Sequence, residues 1–328
     1  MKIKYIYLNI AITFFFFISL IFIVLNALKM NEKPLIVDIK RNALDDGPGI
    51  RTLIFFKGCP LSCVWCQNPE AKSPFREISF DKAFCVECGT CKNVCKENAI
   101  QFENKYRIDR HVCNLCGKCI EMCPNEALKL VGKFYTIEEL LTIILKDKIF
   151  YDNSGGGVTL SGGEPLYHIK YIHKLLKALK DKNIHICIET SGFFKLSEFE
   201  KFILPFTDLI YFDLKIYNPS IHLRYCHVSN ENILDNFKHI VNTTAVEVLP
   251  RIPLIPGITD TDENLHSLAN YLKSLQIKKV GLLPYNPLWL DKSEKLGFTS
   301  EYTYKNNISQ DQKQRIKNLF SEFEFKSF

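Results

Sequence analysis

The chain has 328 residues, with 42 Lys and Arg against 36 Asp and Glu, a net charge of +6. An apolar content of 47% excludes disorder over most of the chain, and the charges are mixed along it, so no basic tract points to nucleic acid. At about 150 residues per domain, the length fits two domains or one large barrel with an insert.

The first element is Tyr5–Leu28, which carries no charge over 24 residues. As a helix it would reach about 36 Å, enough to cross a bilayer. Lys2 and Lys4 precede it, and Lys29, Lys33, Lys40 and Arg41 follow, a bias that favours a cytoplasmic side for the rest of the chain. No small-residue cleavage site closes the stretch and no twin arginine opens it. Two readings of residues 1–29 stay open: a membrane anchor, or sequence upstream of a start at Met30. Both put the working domain in the cytoplasm.

From Leu53 onward, apolar β-rich runs alternate with helical periodicity. Strands are predicted at Leu53–Phe56, Gly157–Leu160, Ile184–Ile188, Leu209–Asp213, Val246–Arg251 and Val280–Leu283. Helices are predicted at Ile137–Leu145, Ile169–Leu179, Leu196–Phe202, Glu231–Ile240, Glu263–Leu275 and Gln310–Phe323. This alternation predicts an α/β fold with a parallel sheet, five or six units forming a partial barrel. Its active site would lie at the C-terminal strand ends.

Residues 76–131 interrupt the alternation with an internal repeat. Of 13 cysteines, 11 fall between Cys59 and Cys123. Such clustering in a long chain reads as metal ligation in a reducing compartment, not as a disulfide scaffold. Cys85, Cys88, Cys91 and Cys95 recur as Cys113, Cys116, Cys119 and Cys123, each offset by 28. The block has too few apolar residues to predict a core of its own, so metal should organise it. Zinc sites pair two CxxC units across a longer spacer, which fits this spacing poorly. Each half reads C-x2-C-x2-C-x3-C, and the run resembles that of bacterial two-cluster ferredoxins. The resemblance implies that the fourth cysteine of each half crosses over. One 4Fe–4S cluster would take Cys85, Cys88, Cys91 and Cys123; the other would take Cys113, Cys116, Cys119 and Cys95.

A separate loop, Cys59-Pro-Leu-Ser-Cys63-Val-Trp-Cys66, follows the first predicted strand. Three cysteines leave one iron of a four-iron cube open, as catalytic zinc sites leave a position open. The loop resembles the signature of radical S-adenosylmethionine (SAM) enzymes, and Ser161-Gly-Gly-Glu164-Pro165, ending the second predicted strand, supports it.

Further segments resemble the glycyl radical enzyme activating enzymes. They are Asp46-Gly-Pro-Gly-Ile-Arg51-Thr52, Phe55–Glu70, Ser154–Leu166, Glu189-Thr-Ser-Gly192, Asp213-Leu-Lys215, Arg251–Gly257 and Leu283-Pro-Tyr-Asn286. The subgroup it resembles carries a two-cluster ferredoxin-like insert. The resemblance implies a partial (β/α)6 radical SAM barrel from residues 30–75 and 132–328, with residues 76–131 inserted. It implies three 4Fe–4S clusters, SAM, and a glycyl radical enzyme as partner. An electron donor such as flavodoxin or ferredoxin would feed the insert.

Residue roles follow from the same resemblance. Cys59, Cys63 and Cys66 would hold the catalytic cluster. Trp65 and Gln67 would lie beside the adenine through side chain or backbone. Gly162, Gly163 and Glu164 would face the methionine end of SAM, with Glu164 accepting from its ammonium. Asp213, Leu214 and Lys215 end the fourth strand against SAM, and Arg251 would meet a carboxylate. Glu189, Thr190 and Asp213 would form an oxygen-rich monovalent-cation site. Asn286 replaces a histidine usual after Leu-Pro-Tyr, which puts a SAM contact there in doubt. Cys226 stands where threonine is usual and reads as a structural thiol; Cys187 reads as a small buried hydrophobe. The competing readings are a ferredoxin-type electron carrier, a radical SAM enzyme acting on a small molecule or RNA, and, if Tyr5–Leu28 inserts, a membrane redox subunit.

Overall fold

The computed structural model describes residues 34–325. The apolar stretch Tyr5–Leu28, and with it the anchor reading, lies outside the described residues. Among the described residues no helix is long and apolar enough to cross a membrane.

The main sheet is built from β1 (Leu35–Ala43), β2 (Arg51–Phe56), β5 (Lys133–Phe134), β6 (Gly157–Gly162), β7 (His185–Thr190), β8 (Leu209–Asp213), β9 (Glu247–Leu254) and β10 (Gly281–Pro284). Its order is β10-β9-β8-β7-β6-β2-β1-β5. From β2 through β6 to β10 every neighbouring pair is parallel and follows chain order. These are the six predicted strands. All but the last residue of β6 are buried, as expected of a parallel strand covered on both faces. Helix Ile169–Lys180 turns Tyr171, Ile172, Leu175, Leu176 and Leu179 inward, at helical spacing. Helix Ile137–Ile144 starts in a capping box between Thr136 and Glu139.

Sequence reading did not find β1 or β5. Both pair antiparallel at one edge of the sheet, beyond β2. The middle of β1 is polar and exposed, so it lacks the apolar run that marked the inner strands. Helices Lys148–Ser154, Pro219–Cys226 and Trp289–Lys295 were also missed. They are short and their apolar faces are narrow. The last predicted helix, Gln310–Phe323, stops at Leu319.

The cysteine repeat projects from this sheet. Strands β3 (Glu77–Phe80) and β4 (Leu128–Val131) pair antiparallel and close its neck. Contrary to expectation, the block has a small core of its own: Ile78, Phe80, Ile100, Ile108, Cys119, Ala127 and Leu128. Lys57, fully buried just past β2, reaches Glu77 Oε2 at 2.5 Å and the Glu70 carbonyl at 2.8 Å. Ion pairs Lys295–Asp81 (2.8 Å) and Lys105–Glu294 (3.0 Å) tie the block to helix Trp289–Lys295.

Candidate active site and cysteine loops

The three-cysteine loop leaves the C-terminal end of β2 and is held by backbone hydrogen bonds on two sides. The Gly58 and Cys59 amides donate to Ala71 and Lys72 carbonyls at 2.7 and 3.1 Å. The Ser62 and Val64 amides donate to the Cys226 and Tyr225 carbonyls at 3.0 and 3.1 Å. The end of helix Pro219–Cys226 therefore braces the loop. Cys63 is buried, while Cys59 and Cys66 are half-buried. Burial and the neighbouring charge of Glu164 push the Cys59 thiol well up. Burial pushes Cys66 to about 11. A hydrogen bond with the fully buried Cys226 thiol draws Cys63 down. Cys226 is thus a buried thiol behind the loop. Cys187, in β7, is fully buried as read.

The glycines after β6 press against that loop. Gly162 has φ +105°, and a Cβ on it would come within 2.5 Å of Phe56 backbone. A Cβ on Gly163 would stand 2.4 Å from the Gly58 carbonyl oxygen. The Glu164 amide donates to that same carbonyl at 2.8 Å. The Glu164 carboxylate has partners within the protein. It is fully buried and accepts from the Ser191 amide (2.8 Å), the Ser191 hydroxyl (2.6 Å), the Thr190 hydroxyl (3.0 Å) and the Leu166 amide (3.2 Å). Burial pushes its pKa up; these donors oppose the shift. The side chain clamps β6 to β7.

A charge network crosses the C-terminal ends of β7, β8 and β9. Arg251 sits opposite Asp213 in register. It donates from Nε to Asp213 Oδ1 at 2.9 Å and from Nη1 to Glu189 Oε1 at 2.6 Å. Lys215 Nζ meets Asp213 Oδ2 at 3.0 Å, and the Ser161 hydroxyl donates to Glu189. Burial pushes the Asp213 carboxyl up, but Arg251 and Lys215 outweigh it and hold it below the usual range. Glu189 and Asp213 converge on the Arg251 guanidinium, and the Thr190 hydroxyl turns to Glu164.

Trp65 is 3% exposed and packs in the core beside Tyr225 at 6.4 Å. Leu214 is a core residue whose amide donates to the Arg251 carbonyl at 2.8 Å. Asn286 is exposed, and its Oδ1 accepts from the Leu288 amide at 3.0 Å in the turn before helix Trp289–Lys295. Gln67 is exposed at the loop's end, and its carbonyl accepts from Lys292 at 3.3 Å. An open cleft of about 600 Å³ beside the loop is lined by Cys63, Cys66, Lys72, His227 and Ser300.

In the repeat, Cys85, Cys88, Cys91 and Cys123 line one small cavity. Cys119 feels the charges of Cys113, Cys95 and Cys116, and burial pushes its thiol to about 11. Cys85, Cys88, Cys91 and Cys123 thus share one pocket and Cys119 lies near Cys95, Cys113 and Cys116, while among the described residues no three such side chains already stand as a metal-ion site. Sequence reading missed the Thr190 and Ser191 partners of Glu164, and Arg107, whose Nη2 reaches Cys85 Sγ at 3.8 Å. Only Thr190 and Ser191 had a signal, in the Glu-Thr-Ser-Gly segment.

Sequence comparison agrees with this arrangement. The Radical SAM superfamily profile matches residues 117–269, and that of the 4Fe-4S binding domain matches residues 78–101. Trans-4-hydroxy-L-proline dehydratase activating enzyme of Clostridioides difficile is 39% identical over 89% of this chain and 97% of its own. (2S)-3-Sulfopropanediol dehydratase activating enzyme of Klebsiella oxytoca is 39% identical over 84% of this chain and 90% of its own. Benzylsuccinate synthase activating enzyme of Thauera aromatica is 39% identical over 83% of this chain and 84% of its own. With those identities along nearly whole chains, and with a parallel sheet carrying the cysteine loop at its C-terminal edge, this chain belongs to the glycyl radical enzyme activating enzymes of the radical SAM superfamily.

Proposed function

We propose that this chain reductively cleaves SAM and uses the radical to generate a glycyl radical on a partner enzyme. The observation that carries the reading is the packing of the three-thiol loop directly against the Gly162–Glu164 backbone at the C-terminal strand ends. When bound, the clusters and SAM supply a 5′-deoxyadenosyl radical that takes a hydrogen atom from a glycine of the partner.

The chain's own residues position and shield that chemistry. Cys59, Cys63 and Cys66 form a donor set that fits a cube with one open iron, and the brace from Tyr225 and Cys226 fixes their loop. Gly162 and Gly163 bring backbone beside it, and Glu164 locks that backbone through Thr190 and Ser191. Gln67, Asp213, Lys215 and Arg251 remain the polar groups we assign to the SAM side. We place no separate monovalent cation between Glu189 and Asp213, because Arg251 already supplies the positive charge there.

Residues 30–75 and 132–328 form the barrel in this reading, and residues 76–131 the electron entry. The two crossed quartets would hold two further clusters. A flavodoxin or ferredoxin would donate electrons where Cys88 and Cys116 are exposed. The test is full-length protein reconstituted without oxygen, assayed for iron and for 5′-deoxyadenosine. About twelve irons, with SAM cleavage, supports the reading; about eight without cleavage makes the chain an electron carrier.

A further inference from the structure

We infer that Arg107 sets the potential of the cluster held by Cys85, Cys88, Cys91 and Cys123 above that of its twin; this rests on the functional reading above. Arg107 lies between the two halves of the repeat. Positions 28 residues to either side hold Ser79 and Tyr135, so the duplication supplies no counterpart. A tight turn carries it: the Arg107 amide donates to the Asn104 carbonyl at 2.9 Å, and the Gln101 amide donates to the Arg107 carbonyl at 2.8 Å. Its φ is +62°, a left-handed conformation that a long side chain adopts at a cost.

The side chain is buried at 4% exposure, with the guanidinium 3.9 Å over the Phe102 ring and 5.1 Å from that of Phe80. It lines the same cavity as the four cysteines. Nη2 meets Cys85 Sγ at 3.8 Å and Glu87 Oε1 at 3.2 Å. Buried Nε and Nη1 find no acceptor among the described residues. A buried cation with unpaired donors is costly. Glu87 compensates little, because its carboxylate is 67% exposed and well hydrated. An anionic cluster in the cavity would supply the missing acceptors.

A fixed cation there favours the state with one more electron, and hydrogen bonds to the sulfurs act in the same direction. The other quartet lacks this arrangement. Arg110 feels the charge of Cys113, but its Nη1 and Nη2 donate to the Ile108 and Ile78 carbonyls at 3.4 and 3.2 Å. Its Nε is buried without an acceptor, yet no sulfur lies within its hydrogen-bonding reach among the described contacts. Both quartets therefore have an arginine nearby, but only Arg107 donates to a ligand sulfur.

The experiment is a potentiometric titration of the reconstituted full chain, read by electron paramagnetic resonance, with iron counted in every sample. Arg107→Met should lower one insert midpoint by a factor of about ten in the equilibrium, about 59 mV for one electron, and leave the other in place. Arg107→Lys, which keeps the charge, should fall closer to the native value. Full iron with unmoved midpoints would overturn the inference while leaving the functional reading intact. Insert clusters missing from the native protein would overturn both. Should Arg107→Met fail to take up iron, Arg107→Gln compared with Arg107→Lys decides: the uncharged variant should lie below the charged one at full iron, and equal midpoints count against us.

Discussion

The barrel loop and the insert both gather thiols, but by different means. Around Cys59, Cys63 and Cys66 the polypeptide does the gathering. Four backbone hydrogen bonds, the buried Cys226 and the glycines after β6 hold the loop against a large continuous core. In the insert, two short loops expose Cys88 and Cys116 over a core of only seven buried residues. The barrel site is pre-formed by packing, whereas the insert depends on what its cysteines bind. The difference fits the proposed roles, a barrel loop that holds a reacting molecule still and an insert that takes in electrons.

The sharpest way to break this comparison is at the barrel loop. Cys63→Ala should abolish 5′-deoxyadenosine release while secondary structure by circular dichroism stays native, because the loop's backbone bonds remain. Retained cleavage would remove the loop from the chemistry. Chelating the iron should come next in size. Hydrogen exchange should then rise throughout residues 76–131 and stay protected in β6 to β9. Uniform protection would mean the insert's core suffices by itself.

Smaller effects probe the walls of the barrel site. Glu164→Ala leaves donors from Thr190 and Ser191 unpaired in a dry position and should cost about 3 kcal/mol in denaturant unfolding. Asp213 gives a pH signature. Its folded pKa lies below the unfolded value of about 3.9, so its contribution is present above that pH and is lost as pH falls through the folded value. Native protein should therefore lose stability more steeply below about pH 4 than Asp213→Asn. Equal acid profiles would show that the Arg251 network is electrostatically neutral to folding. Last, Thr136→Ala removes a helix cap far from both cysteine regions and should cost about 1 kcal/mol, with iron content and cleavage unchanged.

Much of this was legible in the sequence because it rests on local spacing. The six parallel strands are buried apolar runs, and their alternation with helices dictates a parallel sheet. The insert's paired quartets came from a fixed offset of 28. Polar β1 was not legible, because an edge strand needs no apolar run. Nor was the fate of individual polar side chains.

Glu164, Arg251, Trp65 and Asn286 show why. Each sits where the motif places it, but a side chain's direction is chosen by partners far away in sequence. Glu164 turns to Thr190 and Ser191, Arg251 to Asp213 and Glu189, Trp65 toward Tyr225. Asn286 is held by its own turn. The sequence by itself determined which thiols exist in which spacing, hence the cluster chemistry and the sheet that carries it. Only the tertiary structure decided which polar groups stay free for a ligand and which are used to hold the walls, because a buried carboxylate or guanidinium must find partners wherever the fold brings them.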